Sequence, residues 1–363
     1  MAMVGQPGFF DGEERLAWLS AAGDPLERLA KVVDFEAFRA DLDLALNRSD
    51  RAKGGRPPWD PVLMFRVLVL QTLYTLSDDQ TEYQLRDRLS FTRFVGLTLA
   101  DGVPDAKTIW AFRERLVRAD ALRGLFDRFD RVLRETGYLA TGGQIIDATV
   151  VDARRPRLTR AEKDEIRGGG SPPDWSDARR RQIDHDGRWT LKRGRKREAP
   201  PEGGASQRGG GELLIPQYGY KNHVGIDATH GFVRAFAVTH AAAHDGGQLG
   251  AVVTTENLSG KVWADTAYRS KANLEMLERR GLKAEFQRPK PRGKPMPAHV
   301  RRGNATRAKI RSKVEHVFAA QKVRLKLVVR TVGLARATAK IALANLAYNF
   351  LRLAWHRGRT ASA

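Results

Sequence analysis

Along the first 140 positions apolar residues recur at helical spacing, broken by proline and glycine, and the pattern predicts a helical bundle. Gly54-Gly55-Arg56-Pro57-Pro58-Trp59-Asp60-Pro61 is a turn that also starts a helix, with Asp60 as N-cap and Pro61 at the first helical position. Val62, Phe65, Leu68 and Val69 then line one face. A second helix is predicted from Ser77 or Thr81, with Tyr83, Leu85 and Leu89 inward. A third, near Thr108 to Leu116, turns Ile109, Phe112 and Leu116 inward, and a fourth runs from Asp120 to Leu133 with Leu122, Leu125, Phe126, Phe129 and Leu133.

The period changes after Gly142-Gly143. Gln144 to Asp152 reads as a buried strand with a carboxylate inside its apolar run, and Asn222 to Asp227 and Phe232 to Thr239 are two further strands around the hairpin loop Ala228-Thr229-His230-Gly231. Lys261-Val262-Trp263-Ala264-Asp265 is a short apolar run ending in an acid. A helix with Ser270 as N-cap and Gly281 as stop follows it, then an edge strand over Ala284 to Gln287. Ala305 to Leu325 and Ala335 to Trp355 read as helices. Strands alternating with helices indicate an α/β layer fold behind the all-α N-terminal part. Arg154 to Gly211 carries no hydrophobic period; it is punctuated by Gly and Pro and holds Arg179-Arg180-Arg181 and the run Lys192-Arg193-Gly194-Arg195-Lys196-Arg197. We therefore expect a helical domain over 1–140, an α/β domain over 141–356 with a mobile basic insertion at about 154–215, and a tail over 357–363.

Charge narrows the partners. Among 363 residues, 63 Lys and Arg stand against 42 Asp and Glu, leaving a formal net charge of +21, which points to a polyanion. The absence of cysteine excludes disulfides, thiolate metal sites and a Cys nucleophile. Val62 to Tyr74, the most apolar stretch, is interrupted by Arg66 and too short to cross about 30 Å of hydrocarbon. Met1 to Phe10 lacks the pattern of an export signal, so the expected location is cytoplasmic, with no membrane partner.

Asp147 and Asp265 each close a short apolar strand, where an ionised carboxylate is costly unless a cation or a hydrogen-bond network compensates it. Two such acids invite a hard divalent cation. Mg²⁺ takes carboxylate and water oxygens, and in pairs about 4 Å apart it suits phosphodiester chemistry. Glu315 is the third candidate, on a helix whose face Ile310, Val314, Val317 and Phe318 packs inward. Taken singly, a strand-end Asp is more often a turn former or a cap; Asp152 and Asp227 are the local competitors, with Asp227 better read as the hairpin turn residue.

Four blocks in order, Gln144-Ile-Ile-Asp147-Ala-Thr149, Tyr218-Gly-Tyr-Lys221-Asn-His223-Val-Gly-Ile-Asp227, Ala264-Asp265-Thr-Ala-Tyr268 and Lys313-Val-Glu315-His316-Val-Phe318, resemble the bacterial DDE transposases of the insertion-sequence-five family. Met64 to Gln71, Leu76-Ser77-Asp78, Asp87 to Phe91 and Lys107 to Arg113 resemble that family's helical domain, so the similarity runs from about Trp59 to Arg352 apart from the basic insertion. The resemblance implies an RNase H-like core, a mixed sheet flanked by helices, in which Asp147, Asp265 and Glu315 bind two Mg²⁺ ions, replaceable by Mn²⁺. It further implies hydrolysis at each transposon end and attack of the freed 3′-hydroxyl on target DNA. The partners would be the terminal inverted repeats, the target duplex and further copies of the chain in a homodimer or higher oligomer, acting at the nucleoid. Arg311 and Lys322 stand with Glu315 where related transposases carry a Tyr, Arg, Glu, Lys signature, and Ala308 replaces the aromatic. Arg311, Lys322 and Lys221 are thus expected at DNA phosphates together with Arg193, Arg195, Lys196 and Arg197. His223, Tyr268 and His316 are expected to support the carboxylates by hydrogen bonds, and Trp175 and Trp189 are candidates for stacking on bases. The competing functions are a catalytically silent DNA-binding relative and a nuclease that cuts without joining.

Overall fold

The structure, a computed structural model, describes residues 10–47, 57–167, 172–195, 212–256, 258–291 and 293–360. It divides into two compact units: one takes residues 1–138, 319–326 and 342–363, the other 139–318 and 327–341. The helical unit therefore also draws in two stretches from the end of the chain.

In that unit, Asp60 accepts from the backbone N–H groups of Val62 (2.8 Å) and Leu63 (3.0 Å) and starts the helix Pro61–Tyr74. This helix is apolar nearly all round and is buried nearly all round. Ser77 and Gln80 form a reciprocal capping box at the helix Asp78–Asp87. There Thr81 and Leu85, four apart, face inward, whereas Tyr83, expected inward, is 65% exposed. Two residues from each neighbour on a helix is about half a turn, so Tyr83 lies on the opposite face. Ile109, Phe112 and Leu116 on Ala106–Arg118, and Leu122, Leu125, Phe126, Phe129 and Leu133 on Ala121–Glu135, are buried as expected. The centre is aromatic: Phe38 lies 5.0 Å from Phe65 and 6.0 Å from Phe350 between ring centroids, and Phe129 meets Phe350 edge-on at 4.7 Å.

The second unit is built on six strands: β1 (Gln144–Asp152), β2 (Arg188–Arg195), β3 (Glu212–Asp227), β4 (Val233–His240), β5 (Lys261–Trp263) and β6 (Lys283–Ala284). Their order is β2-β3-β1-β5-β6, with β4 also on β3. The β1/β3, β2/β3 and β3/β4 pairs are antiparallel and the β1/β5 and β5/β6 pairs parallel. This is the mixed sheet flanked by helices that the resemblance implies, following a helical N-terminal region. Ile146, Val252, Val262, Tyr268, Leu277 and Phe286 form a core against the sheet. The helix Lys271–Arg279 starts at Ser270, which accepts from the N–H of Asn273 (3.2 Å), and stops before Gly281 at φ +68°.

The insertion departs from expectation. It has its own polar anchors: Glu162 accepts from the Trp175 indole N–H (2.8 Å) and from Arg179 (2.6 Å), so Trp175 is buried. Buried Asp184 accepts from the Tyr220 hydroxyl (2.7 Å) and from the N–H of Gly187 (3.1 Å), while the Tyr218 hydroxyl donates to the Asp184 carbonyl (3.0 Å). These bonds root β2 on an extended β3. They join residues far apart in the chain, which no local periodicity reveals.

Close packing at Gly225 sets the last part of β3. It pairs with Ile146, and a Cβ there would stand 2.2 Å from the Val252 carbonyl oxygen. Gly225→Ala should therefore lower unfolding free energy by about 1–3 kcal/mol in urea denaturation, whereas Gly250→Ala, with open space around it, should cost no more than about 0.5 kcal/mol.

Candidate active site

β1 places the first acid. Gln144 fixes its start by exchanging hydrogen bonds with the backbone of Thr254 (2.8 and 3.0 Å), and three residues on Asp147 sits opposite Val224 of β3. One oxygen of Asp147 accepts from the N–H of Ala148 (2.9 Å) and the other is ion-paired with the Arg311 guanidinium. β5 runs parallel to β1 with Gln144 beside Val262 and Ile145 beside Trp263. β5 ends at Trp263, and Asp265 follows two residues on. Asp265 caps the short turn Thr266–Tyr268, accepting from the N–H of Ala267 (2.8 Å). Glu315 opens the helix Glu315–Ala319 and is exposed, while Val314, Val317 and Phe318 around it are buried. Lys313 ties this corner to the β3–β4 hairpin through the Ala228 carbonyl (2.8 Å).

Electrostatics link the three acids. Burial pushes the Asp147 carboxyl up to about 6; Arg311 and the Ala148 N–H oppose that, and the negative charges of Asp265 and Glu315 raise it further. Asp265 and Glu315 both lie close enough to Asp147 to act on its charge. The cluster is short of positive charge, and Arg311 supplies part of it. A hard divalent cation fits this donor set by charge and by oxygen chemistry. Among the described residues no group of three or more His, Cys, Asp or Glu side chains stands together as a ligand set.

The flanking residues divide sharply. Tyr268 is fully buried, its hydroxyl has no hydrogen-bond partner, and burial followed by the charges of Asp147, Asp245 and Asp265 strongly raises its pKa. His223 is also buried: one ring nitrogen meets the Thr239 hydroxyl at 2.8 Å, and Nδ1 has no hydrogen-bond partner, 4.0 Å from Asp245. Lys221, expected at DNA, instead turns inward and donates to the Ala243 carbonyl (2.7 Å) and to Asp245 (2.8 Å). His316 and Lys322 are exposed, the latter in the turn Ala320–Arg324 within the helical unit. Arg193 and Arg195 pair through their backbones with Leu214 and Glu212; Lys196 and Arg197 lie outside the described residues. Of the competing acids, Asp152 is exposed. Asp227 is buried, and its pKa is lowered against the effect of burial by His230 and Arg234, as suits the hairpin turn residue. Sequence reasoning missed Asp245 and Asp184. Asp245 has a visible mark, an acid before Gly246-Gly247 a few residues after a strand; Asp184 has none.

Comparison with known families places these residues in context. A family model described as "Transposase DDE domain" matches residues 139–350, more than half of the chain, and one described as "Transposase domain (DUF772)" matches residues 13–115. No solved structure matches.

Burial lowers the His223 pKa to about 4, with Asp245 pulling up and Lys221 down, so the folded state holds the ring neutral. Stability from this group is present above about pH 6.5 and is lost as pH falls toward 4. Urea unfolding at pH 7 and 4.5 should therefore show a pH penalty in the wild type that shrinks by about 2–3 kcal/mol in His223→Gln. An equal penalty in both proteins would mean that the ring takes up no proton on unfolding.

Proposed function

The chain belongs to the DDE transposases, whose catalytic domain is a polynucleotidyl transferase, and on that premise we propose that it is an active transposase of the insertion-sequence-five type. It hydrolyses a phosphodiester at each end of its element and joins the freed 3′-hydroxyl to target DNA. The observation that carries this reading is the convergence of charge on Asp147 in β1, whose carboxyl feels the negative charges of Asp265, at the turn after β5, and of Glu315, at the start of a helix.

Asp147, Asp265 and Glu315 are the residues that would hold two Mg²⁺ or Mn²⁺ ions. Bound there, the cations supply Lewis-acid stabilisation of the attacking and leaving oxygens. The protein's own share is positioning. Arg311 neutralises Asp147 until DNA arrives and then turns its guanidinium to a phosphate, a geometry that suits its planar fork. Lys322 and the basic insertion hold further phosphates, while Lys221 acts indirectly by fixing Asp245. Tyr268 lies within electrostatic reach of Asp147 and Asp265, His223 adjoins Asp245, and His316 follows Glu315 in the chain. Residues 1–140 recognise the terminal repeats and 141–356 cut, in a homodimer or larger assembly at the nucleoid in the cytoplasm. None of the helices among the described residues is long and apolar enough to cross a membrane.

Labelled duplex carrying the DNA that flanks its own coding region, incubated with the purified chain and Mg²⁺, tests this. The wild type should nick at the element ends and join them to a second duplex. Asp265→Ala and Glu315→Gln should bind the same DNA and cut it at least about 10²-fold more slowly. Undiminished cutting by either variant removes the site assignment. Wild-type binding without cutting identifies a silent relative, and cutting without joining identifies a nuclease.

A further inference from the structure

β3 is sixteen residues long, and only its second half belongs to the body of the sheet. β1 pairs with it from Asp227 back to Gly219, and β4 from Ile226 back to Tyr220. Before Gly219, β2 is its only strand partner among the described residues, in the register Arg188↔Gly219 to Arg195↔Glu212. The outcome is a two-stranded ribbon extending from the sheet. Its base is rigid: Asp184 holds the hydroxyls of Tyr218 and Tyr220, Trp189 packs on Tyr218 with ring centroids 5.4 Å apart, and the Arg155 guanidinium lies 5.4 Å from the Trp189 ring.

A two-stranded ribbon is marginal alone and normally buries an apolar face. Here the apolar side chains stay outside. Leu191 is 63% exposed, Leu214 52%, Trp189 47% and Ile215 41%. Register and alternation put Trp189, Leu191, Leu214 and Pro216 on one face, with Lys192 and Ile215 on the other. This surface needs an occupant.

Charge selects it. β2 reads Arg188-Trp-Thr-Leu-Lys192-Arg193-Gly-Arg195, four cations and no acid, and Lys196-Arg197 follows in sequence. Addition of a second copy along this edge strand would bring like charges opposite one another, which destabilises strand pairing. A polyanion instead neutralises them. A double helix also offers what the apolar stripe requires, because sugars and thymine methyl groups line its grooves, and the major groove, about 12 Å wide, admits a two-stranded ribbon. Eight residues at about 3.3 Å each span roughly 26 Å, or some seven to eight base pairs.

We propose that the β2–β3 ribbon is a DNA-reading arm that lies in the major groove, with Leu191 and Leu214 against the groove floor and Lys192, on the outward face, curling back to a phosphate at the groove rim. This rests on the transposase reading above and deepens it by naming the element that touches the substrate. Trp189 serves as the pinned root of the arm.

The test uses the full-length protein with Lys192→Ala and the double variant Leu191→Ser/Leu214→Ser. Both alter exposed side chains, and unchanged circular dichroism and melting temperature verify the fold. Binding to duplex carrying the DNA that flanks its own coding region is read by fluorescence anisotropy across a salt series and by hydroxyl-radical footprinting, without divalent cation. Lys192→Ala should reduce the log–log salt slope by about one. The leucine variant should bind about tenfold more weakly with its slope kept and should lose about seven base pairs of protection. Wild-type affinity, slope and footprint in both variants would overturn the proposal. So would a fall in light-scattering mass of the leucine variant with DNA affinity intact, which assigns the stripe to a second copy. These readouts do not involve cleavage, so they fail or hold apart from the carboxylate variants that test the transposase reading.

Discussion

A carboxylate placed where water is scarce organises the catalytic unit. Asp147 sits in β1 between two neighbouring strands, and desolvation is the largest cause that pushes its carboxyl up, to about 6. Asp265 and Glu315 intensify that pressure, and Arg311 and the Ala148 N–H relieve it in part. An arrangement that concentrates negative charge and compensates it in part is poised to take up further positive charge. The surrounding fold serves this imbalance. The parallel β1/β5 pairing ends at Trp263, two residues before Asp265, so that Asp265 follows on the strand next to the one that carries Asp147, and Val314, Val317 and Phe318 around Glu315 are buried.

The sheet can hold such a cluster because its polar groups away from the acids are satisfied. Asp227 takes N–H groups from the hairpin and the Arg234 guanidinium. Asp184 ties the inserted segment to Tyr218 and Tyr220, and Asp186 accepts from the N–H of Leu334 at the start of the last helix (2.7 Å). The exceptions are informative in that frame. Buried Tyr268 and His223 each leave a polar atom without a hydrogen-bond partner, and both adjoin Asp245 electrostatically. Buried groups left unsatisfied are costly, so they tend to persist where function needs them.

Much of this was readable in the chain because it rests on local rules. Asp60 before Pro61, Ser77 with Gln80, and the inward residues of Ala106–Arg118 and Ala121–Glu135 follow from capping and periodicity. Asp147 and Asp265 stood out as acids closing apolar runs, although β1 continues past Asp147 to Asp152 and β5 ends at Trp263, before Asp265. What escaped depends on contacts distant in sequence. Lys221 looked like a phosphate ligand because its partners, Ala243 and Asp245, come from a loop more than twenty positions away. The insertion looked coreless because its anchors are single polar residues, Glu162 and Asp184, which leave no hydrophobic rhythm. Tyr83 failed for a simpler reason: apolar character was weighted over its angular position between Thr81 and Leu85.

Lys221, on Asp245, and Arg311, on Asp147, differ in kind. Lys221 is held by a carbonyl and a carboxylate at once, with its stem sheltered in the sheet, so removing it would leave Asp245 and the Ala243 carbonyl without its bonds. Arg311 comes from the end of Ala298–Arg311, a helix with no buried residue, and its Nε has no hydrogen-bond partner. Its ion pair with Asp147 is therefore the less anchored of the two. A guanidinium exchanges one oxyanion for another with little change in geometry, because carboxylate and phosphate present similar pairs of oxygens to the same fork. The fold thus separates two roles for positive charge: one cation locked into the scaffold to fix a loop, and one on the solvent side whose partner can change without disturbing the sheet beneath it.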